Sequence, residues 1–192
     1  MWLNKPNANR LRERRRHIAG PTGCGLCGIE SIAEAMRAPA IVRHGQQFSP
    51  ENIMAAMQSL PSRQKLNIET RAVHAAAFWN VASGMVVVRE DVGRHNALDK
   101  LSGALARASV AASEGIILLT SRVSVEMVQK SAAIGAPMMV SVSAPTALAV
   151  RMADAAGITL VAIARADGFE VFTHPSRISD ALAATVGNGI RA

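Results

Sequence analysis

The chain has no tyrosine, and phenylalanine and tryptophan bring its aromatic content to only 3%. Its core therefore has to be assembled from Ala, Val, Ile, Leu and Met, which is feasible because 49% of the residues are apolar. No run approaches the roughly 18 consecutive apolar residues of a membrane span. The start has no apolar stretch of the kind a secretory signal needs, and Glu13 interrupts its basic residues. With two cysteines and no export signal, a reducing compartment is expected, in which a C-x-x-C pair reads as catalytic or metal-binding rather than as a staple. There is no internal repeat and no low-complexity segment.

The net charge of +7 is unevenly spread, with Arg10, Arg12, Arg14, Arg15 and Arg16 crowded into one stretch. Residues 1–20 read as a basic N-terminal arm, either a solvated helix face or a contact for nucleic acid, a membrane or an acidic partner. Residues 21–178 read as a single α/β domain with a cysteine loop at 20–28, and 179–192 as a C-terminal tail. A helix is predicted from Ile29 to Arg37, then a connector from Pro39 to Gln47. Ser49, Pro50 and Glu51 make a good helix start, and that helix runs to Leu60. Residues 61–72 read as a polar loop and Val73–Trp79 as helical.

Short continuous apolar runs predict buried strands at Met85–Val88, Ile116–Thr120, Pro137–Val142 and Ile158–Ala164. Helices are expected between them at Asn96–Ala112, Ser124–Ile134 and Pro145–Ala156. Phe169–Phe172 is read as the return of a hairpin, and the tail from Ser176 as weakly helical. Such alternation implies a mostly parallel sheet covered on both faces, with ligands beyond the carboxyl ends of the strands. The polar motifs fall there: 89–96, 120–122, 141–146 and 165–168.

The sharpest chemical feature is Gly23-Cys24-Gly25-Leu26-Cys27-Gly28. Its glycines leave both sulfurs sterically open. A nearby helix N-terminus or arginine would favour the reactive thiolate. Sulfur or redox chemistry competes with zinc, but one C-x-x-C supplies two of the four ligands a structural site usually has. His17, His44, His74 and His95 show no ligand spacing. Zinc-dependent deamination is disfavoured because Ala76 stands where such an enzyme needs a glutamate. His74 also reads as a hydrogen-bonded residue at a helix start. In the stretch Arg89–Asn96, Arg94 can fork onto a phosphate and Asn96 can join the following helix start in holding an anion. The rival for that stretch is a salt-bridged strand–helix turn. Ser121 with Arg122, and Ser143, repeat the theme of small hydroxyls at strand ends.

Together the cysteine loop, Val88–Lys100, Arg122-Val123-Ser124 with Glu126-Met127, Ser141–Thr146 and Phe172-Thr173-His174-Pro175 resemble the formate dehydrogenase accessory sulfurtransferases of the FdhD type. The resemblance implies a cytoplasmic sulfurtransferase, a homodimer with a cytidine-deaminase-like three-layer α/β fold. It implies a persulfide on Cys24, assisted by Cys27 and filled by a cysteine desulfurase. The acceptor it implies is the molybdenum bis-guanine-dinucleotide cofactor, bound as substrate and destined for formate dehydrogenase. Ile163, Ala164, Arg165, Ala166, Asp167 and Gly168 match the family's cofactor-binding segment. His74, Arg94, His95, Asn96, Ser121, Arg122 and Ser143 join them as cofactor-binding candidates, with a guanine nucleotide as a smaller ligand. No zinc, nucleic acid or membrane span is expected.

The chain departs from the family pattern in several places. The β-rich region that usually precedes the cysteine loop is expected to be missing. Arg71-Ala72 replaces a Gly-Gly, Ile29 follows the loop where lysine is common, and the cofactor segment opens with Ile163 and closes with Gly168 instead of Phe and Arg. The rival reading is a catalytically impaired chaperone that binds the cofactor or a nucleotide.

Overall fold

A computed structural model describes residues 38–179. The expected arm, the cysteine loop with Cys24 and Cys27, the helix at Ile29–Arg37 and the tail beyond residue 179 lie outside the described residues.

Six strands form one sheet: β1 (His74–Asn80), β2 (Gly84–Asp91), β3 (Ile116–Leu119), β4 (Met138–Ser141), β5 (Thr159–Arg165) and β6 (Gly168–Val171), in the order β2-β1-β3-β4-β5-β6. Helix α1 (Pro50–Ser59) and the short α2 (Lys65–Thr70) precede the sheet. Between strands lie α3 (Arg94–Arg107), α4 (Val125–Ala133) and α5 (Ala147–Ala156).

The expectation of a mostly parallel sheet holds only in the middle. Pairing is parallel between β3, β4 and β5, and antiparallel for β2–β1, β1–β3 and β5–β6. The reason is β1. Val73–Trp79 is not helical; from His74 on it is a strand lying between β2 and β3. Its three consecutive alanines are the best helix formers, but Ala75, Ala76, Ala77, Phe78 and Trp79 are all buried, and tertiary packing overrides propensity. A tight hairpin supports it: Asn80 pairs with Gly84, the Ser83 N–H donates to Asn80 Oδ1 at 2.7 Å, and Gly84 has the positive φ (+67°) such a turn favours.

Side-chain alternation divides the sheet into two faces. On one, Ala77, Trp79, Ile116, Leu118, Met138, Val140 and Val161 meet Ile53, Ala56 and Met57 of α1. Ile53 is completely buried, a contribution of about 1.5–3 kcal/mol. Ala76, Phe78, Ile117, Leu119, Met139 and Leu160 turn to the other face. The connections β2-α3-β3, β3-α4-β4 and β4-α5-β5 all advance across the sheet in one direction. Right-handed crossovers therefore bring α3, α4 and α5 to that second face. The result is three layers, with both faces covered.

Helix α1 starts as expected, with Ser49 as N-cap. The Asn52 N–H donates to Ser49 Oγ at 3.2 Å and the Ser49 N–H donates back to Asn52 Oδ1 at 3.1 Å. Residues 61–72, expected to be loop, hold a 3-10 turn and α2, whose Leu66 and Asn67 N–H groups both donate to the Glu90 carboxylate at 2.9 Å. Helix α3 stops at Arg107 rather than Ala112, which opens a separate 3-10 turn. From Ser176, where a weakly helical tail is expected, the described chain keeps only the end of a 3-10 turn, Pro175–Arg177. Beyond it Ile178 bridges Phe48, and Arg177 reaches the carbonyls of Gly157 (2.6 Å) and Val42 (3.2 Å).

Candidate functional site

The polar residues named from the sequence gather along one edge of the sheet. β2, β3, β4 and β5 all end there and β1 begins there. His74 opens β1 opposite Asp91, the last residue of β2. One residue on, the Ala75 N–H donates to Thr120 Oγ1 at 2.8 Å and the Thr120 N–H donates to the Ala75 carbonyl at 3.1 Å, locking the start of β1 to the end of β3. Next, Ser141 Oγ donates to the Ser121 carbonyl at 2.8 Å and accepts the Ser143 N–H at 3.1 Å. The Ile163 N–H points to the Ser143 carbonyl at 3.4 Å, joining β5 to the row. With neighbouring strands about 4.8 Å apart, the four intervals from Asp91 to Arg165 span about 19 Å.

The loops in this row are not equally free. Asp91 accepts from the Gly93 N–H (2.8 Å) and Asn96 Nδ2 (3.2 Å), and pairs with Lys100. Lys100 first, then the Gly93 and Asn96 hydrogen bonds, hold its carboxyl well below the usual range, at about 2. Asp91 and Asn96 are thus committed to the strand–helix turn, the structural alternative for this stretch. Arg94 opens α3 with a buried, unpartnered Nε, and Arg122 is exposed.

His95 is not at the surface. It is 4% exposed, and neither ring nitrogen has a hydrogen-bond partner. Burial, then the Arg94 charge, lower its pKa; Glu126 opposes them, Lys130 lowers it further and Asp99 raises it. Glu126, in the first turn of α4, is also buried and has an unpartnered Oε2. From the sequence, Glu126 enters only as part of the Glu126-Met127 motif and not as a site candidate, because an acid in a first helical turn is already explained by the helix dipole.

At the far end, Ile163, Arg165, Asp167, Gly168, Phe169 and Glu170 line an open cleft of about 200 Å³ around the β5–β6 hairpin. Arg165, Ala166 and Asp167 are exposed, whereas Ala164 is only 2% exposed and packs into the core, so its side chain faces the interior rather than the cleft. The Phe172–Pro175 motif is structural: Thr173 Oγ1 accepts the Leu160 N–H at 3.0 Å and donates to the Ile158 carbonyl at 2.7 Å. Among the described residues no group of three or more His, Cys, Asp or Glu could hold a metal ion, and no helix is long and apolar enough to cross a membrane.

Against known proteins, the FdhD/NarQ family matches residues 1–179. The chain belongs to the FdhD/NarQ family. Family members similar to it include two named "Sulfur carrier protein FdhD". The one from Agrobacterium fabrum is 55% identical over 177 residues, covering 92% of this chain and 65% of that protein. The one from Cupriavidus necator is 54% identical over 169 residues, covering 88% and 59%. The chain therefore spans roughly three fifths of the length of these relatives. Among solved structures, a formate dehydrogenase accessory protein from Desulfotalea psychrophila superposes with a TM-score of 0.66 at 32% identity, over 73% of this chain and 62% of that one.

Proposed function

We propose that this chain is a sulfur carrier in the maturation of formate dehydrogenase, a cytoplasmic protein working as a sulfurtransferase through Cys24 and Cys27. Its supports are the glycine-flanked C-x-x-C, which lies inside the 1–179 family match, and the sulfur-carrier name of relatives about half identical to it.

In this reading the Cys24 thiolate attacks the outer sulfur of a cysteine desulfurase persulfide. A new S–S bond forms on Cys24, the desulfurase thiolate leaves, and no external oxidant is needed. Cys27 then assists release of the sulfur to the acceptor. The acceptor is the molybdenum bis-guanine-dinucleotide cofactor, bound as substrate, with formate dehydrogenase as its destination. The row of strand ends suits a ligand of that kind. A span of about 19 Å is longer than one mononucleotide, and cations stand at intervals along it: Arg94, Arg122 and Arg165. A forked guanidinium is well matched to phosphate oxygens. His74, Ser121 and Ser143 add polar strand-end positions between them. The three-layer arrangement is read as cytidine-deaminase-like, and the working unit as a homodimer.

Intact-mass spectrometry after incubation with a cysteine desulfurase and cysteine tests the carrier role. A reducible gain of one sulfur atom is expected in the native chain and in Cys27→Ala, and none in Cys24→Ala. A full gain in Cys24→Ala would sink this reading. No gain in the native chain, beside an active control acceptor, would favour a cofactor-binding chaperone.

A further inference from the structure

β5 and β6 do not pair residue for residue. Val161 faces Val171 and Ala162 faces Glu170, but the next matched pair is Arg165 with Gly168. Three steps along β5 answer two along β6, so Ile163 and Ala164 share one partner, Phe169. This is a bulge of one extra residue. Ile163 sits in it at φ +52°. That left-handed conformation is the one such bulges give to glycine. A β-branched residue adopts it only under strain.

Core packing records the slip. Val161 and Ala164, three residues apart, belong to the same cluster on the α1 face, and Phe169 and Val171 pack against it. Unbroken alternation would align Val161, Ile163 and Arg165 on that face. The bulge instead returns Arg165 to the face of Leu160 and Ala162, where α3, α4 and α5 lie. It also keeps Arg165 in the strand, leaving Ala166 and Asp167 as a two-residue loop. Without the bulge, Ala164 would pair with Gly168 and Arg165 would fall into the turn.

We propose that Ile163 is a positioning residue whose strained bulge holds Arg165 in the strand and on the helix-bearing side. There its guanidinium joins Arg94 and Arg122 on one phosphorylated ligand. Bulges beside binding sites re-aim side chains in this way, and strain of this kind persists only where the surroundings over-determine it. Phe169 and Val171, packed on the core, supply that constraint. The inference rests on the nucleotide-binding part of the proposed function.

The test is affinity of the full chain for diguanosine tetraphosphate, a dinucleotide long enough to reach along the row, by titration calorimetry. Arg165→Ala is expected to weaken binding roughly tenfold, the effect of losing one charge-assisted contact. Arg165→Ala/Ala166→Arg keeps the charge but moves it into the turn, at two exposed positions, and is expected to recover nothing. Ile163→Pro, whose φ is locked near −65°, is expected to match Arg165→Ala, and the double variant Ile163→Pro/Arg165→Ala to be no weaker than Arg165→Ala alone. Native affinity in the displaced-arginine variant, or in a natively folded Ile163→Pro chain, overturns the inference. If Ile163→Pro does not fold, the displaced arginine decides alone. Should Arg165→Ala bind normally while Arg94→Ala or Arg122→Ala does not, positioning by Ile163 fails and the site stands. Normal binding in all three arginine variants removes the nucleotide site itself.

Discussion

Ser141 donates its hydroxyl to the backbone carbonyl of Ser121 across 2.8 Å, so the ends of β3 and β4 are tied by a side chain as well as by their ladder. The same oxygen accepts the Ser143 N–H, and Ser141 is completely buried. Replacing it by alanine leaves a carbonyl and an N–H without their partner. A destabilisation of about 1–3 kcal/mol is expected for Ser141→Ala, the cost of unsatisfied buried groups. Urea unfolding checks this, and an unchanged midpoint would mean that water replaces the hydroxyl.

At the other end of the row, Asp91 sets a pH dependence. Its carboxyl lies at about 2, down from 3.8, chiefly through Lys100. Between those values the unfolded chain binds more protons than the folded one. The contribution is therefore complete above about pH 4 and is lost as pH falls through about 2. Asp91→Asn is expected to flatten the acid limb of stability against pH and to leave its slope near neutrality unchanged. Denaturant midpoints measured across the acid range decide it. An unaltered acid limb would show the Lys100 pairing to be fully screened by solvent.

Five of the six strands are legible in the sequence. Ile116–Leu119, Met138–Ser141 and Thr159–Ala164 show as continuous apolar runs because they are buried on both faces. Met85–Val88 and the Phe169–Phe172 return mark β2 and β6, although β2 is an edge strand with no buried residue rather than the buried strand expected. β1 was hidden by its alanines, although Asn80 and Gly84 mark a hairpin. α2 was hidden for another reason. It has no buried residue, and its N-terminus is held by Glu90, 23 residues further along the chain than Asn67, so no local pattern announces it. At the site, the gathering of polar strand ends was legible because topology alone dictates it. The inward turn of His95 was missed: His95, Leu98, Leu101 and Leu105 fall at helical spacing on one buried face, but the charged residues around it made it read as a ligand-facing site residue. The bulge at Ile163 left no trace in the sequence, because glycine is the residue that ordinarily announces that backbone conformation.

That disguise makes Ile163 a position where the usual ranking of residues should invert. In ordinary backbone, alanine is preferred to glycine because it restricts the unfolded chain. At φ +52° alanine carries a steric cost of about 1–2 kcal/mol that glycine escapes. Of the two variants Ile163→Ala and Ile163→Gly, which lose nearly the same side chain, the glycine form is expected to be more stable by about 1 kcal/mol. Thermal unfolding of the pair reads the sign directly. A more stable alanine variant would place Ile163 in relaxed β geometry.

His95 gives a second pH dependence, nearer neutrality. Burial and Arg94 lower its pKa from 6.5, so the folded chain holds it neutral where the unfolded chain would protonate it. The unfolded state then binds more protons below about pH 6.5, and stability falls with decreasing pH until the folded pKa is reached. Asp99 and Glu126 oppose this shift, while Arg94 and Lys130 reinforce it, so the neighbouring charges largely offset one another and burial dominates. His95→Gln is expected to abolish the slope just below neutrality. It should also leave the Asp91-dependent acid limb intact, since Lys100, Gly93 and Asn96, not His95, hold that carboxylate. Urea midpoints for native and His95→Gln chains across that interval test the assignment. If the slope survived the substitution, it would have to come from another histidine.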